Sequence, residues 1–180
     1  MMEANEREQY QAAIQGDRDA FEMIIHTQSR PLFAIAYGIL QNREEAEDVV
    51  QDALVKAWKS RWRVRDPEKF PAWLGSIARH RAHDVLRRRR NVSLEEQLVE
   101  LAATDADDPI SDADRQQQVH SAMASLPELH RAAIALRYLE DMDYVTIERT
   151  LGLTNGALRG ILGRALGAMR KKLRPLQAIT

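Results

Sequence analysis

The sequence predicts an all-α protein made of two helical packages joined by an acidic, flexible linker. Three observations carry this. Apolar residues recur with the three-and-four spacing of a buried helix face on both sides of residues 91–114. No segment of useful length alternates with the period of a strand. Charge is also unevenly divided: residues 1–90 carry 16 Lys/Arg and 14 Asp/Glu, residues 91–114 carry 8 Asp/Glu and no Lys/Arg, and residues 115–180 carry 10 and 5. Two mildly basic blocks around a strongly acidic one point towards nucleic acid. A chain of 180 residues suffices for two small domains, placed at 1–90 and 115–180 with 91–114 as the linker.

From Phe21 to Leu40 the apolar positions 21, 24, 25, 32, 33, 36, 39 and 40 share one face, and Pro31 predicts a kink or break. Asn42 stands where an N-cap belongs, followed by Glu44, Glu45, Glu47 and Asp48 in the turns where the helix dipole favours anions. That helix is expected to run to about Ser60, burying Ala46, Val49, Val50, Ala53, Leu54 and Ala57. Residues 61–69 read as a basic, proline-containing loop. The next helix runs from about Pro71 to Arg90, with Phe70, Trp73, Leu74, Ile77, Ala78, Val85 and Leu86 inward. Within the linker, Leu94, Leu98 and Leu101 hint at one short helix, and TDADDPISDAD reads as flexible. A helix near Arg115 stops before Pro127, and segments 128–139, 143–151 and 154–173 follow. The connection Leu151-Gly152-Leu153-Thr154-Asn155 has the Gly and N-cap residues of a helix-turn-helix.

Composition excludes several classes. With no cysteine there is neither a disulfide framework nor a thiolate metal site. The first fifteen residues are polar and acidic rather than signal-like, and no apolar run approaches the roughly 20 residues that span a bilayer. A soluble cytoplasmic protein without membrane insertion is expected.

The chemistry sits in three places. On the 71–90 helix, Arg79, His80, Arg81, His83 and the run Arg87 to Arg90 share a helix with an apolar face, and His80, His83, Arg87 and Arg90 form one stripe. Such a stripe can neutralise phosphates while Trp62 and Trp73 stack on unpaired bases; it is equally a solvated helix end with cations at the favourable terminus. His80 and His83 lack the company a metal site needs. Glu44, Glu47, Asp48, Gln51 and Asp52, with exposed aliphatic positions, suit a docking face for a basic partner helix or a plain solvated face. No nucleophile or glycine-rich phosphate loop accompanies these carboxylates, so an enzyme is a distant reading, and no cofactor is expected. Near the carboxyl end, Thr154, Asn155, Arg159 and Arg164, then Arg170 and Lys171, lie on the second helix of the helix-turn-helix, which could enter a major groove; a small bundle with a basic tail is the alternative.

Taken together, the two halves resemble the extracytoplasmic-function sigma factors, the minimal members of the sigma-70 family, over roughly residues 9–175. AEDVVQDALVKAW is similar to the family's core-binding helix, and FPAWLGSIARHRAHDVLRRRR to its promoter-melting helix. LPELHRAAIALRYLEDMDYVTIERTLGLTNGALRGILGRALGAMRKKL resembles sigma domain 4. The resemblance implies that Asp48, Gln51, Asp52 and Trp58 dock on the clamp helices of the largest subunit of core RNA polymerase. It assigns the −10 element to Arg61, Trp62, Arg63, Arg65, Trp73, Arg79, His80, His83, Arg87, Arg88 and Arg90. It assigns the −35 element to Thr154, Asn155, Arg159, Arg164, Arg170 and Lys171, with the flanks on the flap of the second-largest subunit. An anti-sigma partner is implied too.

The chain departs from the family pattern in places. His80 replaces a usual Asn, and Ile161 a usual Arg, which predicts a lost phosphate contact. Gly160, Gly163 and Gly167 lie inside the recognition helix, at roughly 0.8–1 kcal/mol each against Ala, so a helix that is soft, or ordered only on binding DNA or a partner, is expected. The readings of a different class are an autonomous helix-turn-helix regulator and a sigma-like interaction protein that no longer binds DNA. Whether the two packages are splayed or packed together is open at this level.

Overall fold

The computed structural model describes residues 4–96 and 112–173, with side chains described for 4–89 and 117–173. Within them run α1 (Ala4–Gln15), α2 (Arg18–Leu40), α3 (Arg43–Ser60) and α4 (Phe70–Glu96), then α5 (Asp112–Ala124), α6 (Glu128–Ile134), α7 (Tyr144–Leu151) and α8 (Asn155–Leu173). No strand forms among the described residues. The all-α expectation holds.

Local chemistry sets the joints. Gly16, at φ +104°, makes the turn after α1, and the Asp17 carboxylate accepts from the Ala20 N–H at 2.9 Å to cap α2. Gln41 closes α2 in the left-handed region, its N–H donating to the Tyr37 carbonyl. Asn42 caps α3 as its position predicts, its side-chain oxygen accepting from Glu45 N–H at 3.0 Å. Two short 3-10 turns, Arg61–Arg63 and Pro67–Lys69, fold the 61–69 loop, with Val64 and Pro67 buried beneath it.

Five expectations need correction. Pro31 neither ends nor divides α2, which runs as one helix from Arg18 to Leu40. Pro31 lacks only one backbone donor, and packing of both halves of the helix outweighs that loss: Phe21, Ile24 and Gln28 are buried before it, and Leu32 to Ala36 almost throughout after it. The helix expected over 71–90 is α4 and continues past Arg90 to Glu96, and α5 starts at Asp112 rather than near Arg115. The segment between, 97–111, with Leu98 and Leu101, lies outside the described residues. The 128–139 segment is α6 followed by a π turn over Ala135–Leu139, closed by Glu140 N–H on the Ala135 carbonyl. Ile161 is 6% exposed inside the core, so it serves packing and is not a missing phosphate ligand.

The two packages are packed against each other and share one apolar core. It runs without a break from Phe21, Ile35 and Phe70 to Leu136, Ile147 and Leu158. This explains why the end of α2 is apolar nearly all round: one side meets α3 and α4, and the other meets α6 and the π turn. Glycines set two of the closest approaches. A Cβ on Gly38 of α2 would lie 3.0 Å from the Ala132 backbone nitrogen of α6, and one on Gly75 of α4 would lie 2.8 Å from the Thr150 carbonyl of α7. Arg131 ties the same boundary, its Nε donating to the Gly38 carbonyl and its Nη1 to the Ala124 and Leu126 carbonyls at 3.1 and 2.7 Å.

Candidate nucleic-acid interface

On α3 the buried stripe Ala46, Val49, Val50, Ala53, Leu54 and Ala57 matches the sequence reading and turns the opposite face outward. That face carries Asp48, Gln51 and Asp52, all exposed, together with Val55, which is 54% exposed. Val55 follows Asp48 by seven positions and Asp52 by three, so an aliphatic contact sits among the carboxylates. Trp58 departs from this group: its ring packs on Phe21 at 5.0 Å, half-buried at the end of the helix.

The loop and α4 make the basic surface. Trp62 is 67% exposed, with the Arg63 guanidinium 5.4 Å over its ring, and Arg65 is exposed nearby in the chain. An indole this exposed is the expected form of a stacking platform. Arg61 turns inward instead: it lies 4.1 Å over the Trp58 ring and donates to the Trp58 carbonyl at 2.6 Å. Its guanidinium also lies close to where a Cβ on Gly16 would fall, so it packs against the α1–α2 turn. Trp73 packs edge-on against Phe70 at 5.2 Å and is half-buried.

Along α4, His80 is exposed and its Nδ1 donates to the Ser76 carbonyl at 2.6 Å. Arg87 and Arg88 are exposed, with Arg87 paired to Asp84 at 2.6 Å. Arg89 pairs with Glu45 of α3, and Arg81 lies 4.0 Å from Asp52. The stripe expected from spacing is not uniform, because His83 meets Glu128 of α6 at 2.8 Å and Arg79 meets the same carboxylate at 3.4 Å. The side chain of Arg90 lies outside the described residues. Glu128 carries no signal in the sequence, since only the packing of α6 on α4 brings it there.

In the helix-turn-helix, Asp143 caps α7 by accepting from Thr146 N–H at 2.8 Å. That hydrogen bond, more than any neighbouring charge, holds its carboxyl below the ordinary value. Gly152, at φ +67°, ends α7, and the Thr154 hydroxyl stands 3.4 Å from Ala157 N–H at the start of α8. Three glycines notwithstanding, α8 is one helix, held by buried Leu158, Ile161, Leu162 and Ala165. On its outer side, Asn155 donates to Glu148 at 2.5 Å and accepts from Arg159 Nε at 2.8 Å, while the Arg159 guanidinium lies 5.6 Å over Tyr144. Thr154, Asn155, Arg159, Arg164, Arg170 and Lys171 are all exposed. A pre-oriented guanidinium of this kind suits the edge of a guanine. Burial, more than the cation of Arg164, pushes the His130 pKa down, which favours the neutral ring.

Among the described residues no cluster of His, Cys, Asp and Glu could hold a metal ion, and no helix is long and apolar enough to cross a membrane.

Comparison with known proteins finds two family models in chain order: Sigma-70 region 2 matches residues 24–92, and Sigma-70 region 4 matches residues 116–169. The chain is 27% identical over 173 residues to the ECF RNA polymerase sigma factor SigW of Bacillus subtilis, covering 89% of this chain and 92% of that one. It is 31% identical over 168 residues to the probable RNA polymerase sigma factor RfaY of Xanthomonas campestris pv. campestris, covering 89% of this chain but only 42% of the relative. Among solved structures it resembles CnrH in complex with the cytosolic domain of CnrY, with a TM-score of 0.64 at 26% identity, covering 94% of this chain and 97% of that one.

Proposed function

Because the chain belongs to the extracytoplasmic-function branch of the sigma-70 family, we propose that it binds core RNA polymerase and directs initiation at a specific set of promoters. One observation supports this above the others. Two chemically opposite faces lie on adjacent helices of a single packing unit: acidic and aliphatic on α3, basic and aromatic on α4 and the loop before it.

The α3 face (Asp48, Gln51, Asp52 and Val55) docks on the clamp helices of the largest polymerase subunit through carboxylates around an apolar centre. Trp58 supports that face by packing on Phe21. Trp62, Arg63 and Arg65 of the loop, with His80, Arg87, Arg88 and Arg90 of α4, hold the unpaired non-template strand of the −10 element; Arg79, His83 and Trp73 extend that surface. Extruding a base costs a few kcal/mol of stacking, which an exposed indole and nearby cations offset. The helix-turn-helix reads the −35 element as duplex through Asn155 and Arg159, while Thr154, Arg164, Arg170 and Lys171 hold phosphates. Its flanks meet the flap of the second-largest subunit. The domains of this division are 1–90 and 115–180, and the acidic 91–114 segment suits channels otherwise filled by nucleic acid. An anti-sigma partner holds such a factor idle, and its work is regulatory rather than catalytic.

The test is saturable binding of the purified chain to core polymerase, followed by transcription from a promoter library. Binding with new, sequence-dependent starts is expected. Binding without starts on any template would favour an interaction protein, and tight duplex binding without polymerase binding would favour an autonomous regulator.

A further inference from the structure

On a surface of donors, His80 presents an acceptor. Its Nδ1 lies 2.6 Å from the Ser76 carbonyl, one turn back along α4. A carbonyl can only accept, so the proton of the neutral ring sits on Nδ1 and Nε2 carries the lone pair. The ring is tied to its own helix at one nitrogen while the residue as a whole stays exposed. The Ser76 hydroxyl is engaged as well, donating to the Trp73 carbonyl at 2.7 Å. The heads assigned to the strand around His80 have the opposite character: Trp62, Arg63, Arg65, Arg87 and Arg88 are exposed and only donate. Asp84, one turn further on, is an acceptor already held by Arg87 at 2.6 Å.

The chemistry of DNA limits what such an acceptor can meet. Phosphate and deoxyribose oxygens accept, and without a 2′-hydroxyl the backbone offers no donor. A lone pair facing the strand is therefore repelled by the backbone and finds its donor on a base. Cytosine, adenine and guanine each carry an exocyclic amino group. Thymine has none, and its ring N–H stands between two carbonyls that would face the same lone pair. Pairing occupies these edges in duplex, and strand opening exposes them.

We propose that His80 is a specificity-determining residue of the strand-opening surface. Its Nε2 accepts from the exocyclic amino group of one unpaired base, which disfavours thymine at that position. The proposal rests on the reading of α4 as the helix that holds the unpaired strand. It goes further by giving His80 a base to read, where Arg87 and Arg88 grip phosphates of any sequence. Trp73 and Arg87 lie seven residues to either side of His80 on the same face, roughly 10 Å away along the helix. The base that His80 reads is thus flanked by an aromatic ring and by a phosphate grip.

The test uses the full chain bound to core polymerase and a promoter that this holoenzyme opens. The −10 region is left unpaired by mismatches, and each of its bases is varied in turn at about pH 8, above the range where free histidine titrates. One position is expected to disfavour dT roughly two- to tenfold, the range of one net hydrogen bond. Exchanging dC for dU there swaps amino for carbonyl at constant shape and should cost as much. H80N can turn either end of its amide to the base and should level the preference, whereas H80K only donates and should invert it. The salt slope of H80A should match the parent, because no phosphate contact is lost. A dC-to-dU ratio shared by parent, H80N and H80K, with helical content preserved, would overturn the assignment. So would a lower salt slope in H80A with base preferences unmoved, which would make His80 a phosphate cation. A chain that binds polymerase yet opens no promoter would overturn the reading of α4, and the proposal with it.

Discussion

Replacing Arg131 by Met tests the bond that joins the α5–α6 turn to the end of α2. The guanidinium donates to three carbonyls, those of Gly38, Ala124 and Leu126. Its burial pushes the Arg131 pKa down, although not far enough to discharge an arginine. The bonds to Gly38 and Leu126 are part-buried, whereas the longer one to Ala124 is exposed and adds little. A hydrogen bond to a charged group contributes about 1.5–3 kcal/mol, so two shielded bonds give roughly 3 kcal/mol at the lower bound. Met keeps the aliphatic stem, so the loss reports the fork rather than packing. For a chain of this size each kcal/mol moves the melting temperature by about 2–4 °C, which predicts a fall of roughly 6–12 °C by circular dichroism. Lys at this position, with one donor group in place of the fork, should recover only part. A fall below about 2 °C in the Met variant would refute the assignment of the boundary to this side chain.

Three further outcomes are expected. Asp48→Arg with Asp52→Arg abolishes binding to core polymerase while the circular dichroism spectrum stays unchanged; retained binding would discard the α3 face. Arg87→Ala with Arg88→Ala weakens promoter opening and lowers the salt dependence of binding by up to roughly 1.4 in the log–log slope; an unaltered slope would return these residues to plain solvation. Asp143→Ala costs about 1 kcal/mol at neutral pH through loss of the α7 cap. Because the Asp143 carboxyl is held below its ordinary value when folded, the cap's contribution is full above the usual carboxylate range and is lost as the pH falls through the folded value. Urea titrations of parent and variant should therefore converge in acid, and a difference independent of pH would place the effect elsewhere.

The sequence by itself determined the elements that depend on neighbours within a few residues. Asn42 caps α3 and Gly152 ends α7 because a cap needs only its own turn, and both are legible as residue types at fixed offsets. The buried stripe of α3 follows from helical period alone, as does the outward set Asp48, Gln51 and Asp52. The ordered fragments in AEDVVQDALVKAW and FPAWLGSIARHRAHDVLRRRR were enough to place the family.

Tertiary structure decided whatever rests on residues far apart in the chain. Pro31 reads locally as a kink or a break, yet α2 continues through it because both packages pack against the helix. Arg61 and Arg63 are indistinguishable as letters, but one stacks inward on Trp58 and the other lies beside an exposed Trp62. Ile161 reads as a lost phosphate ligand until its burial shows it to be core. Glu128 and Gly38 are ordinary residues in sequence and meet His83 and the Ala132 backbone only when α6 lies across α4 and α2. Local capping and periodicity are written within a few turns of chain, whereas the facing of one helix by another is a balance of burial summed over the whole molecule.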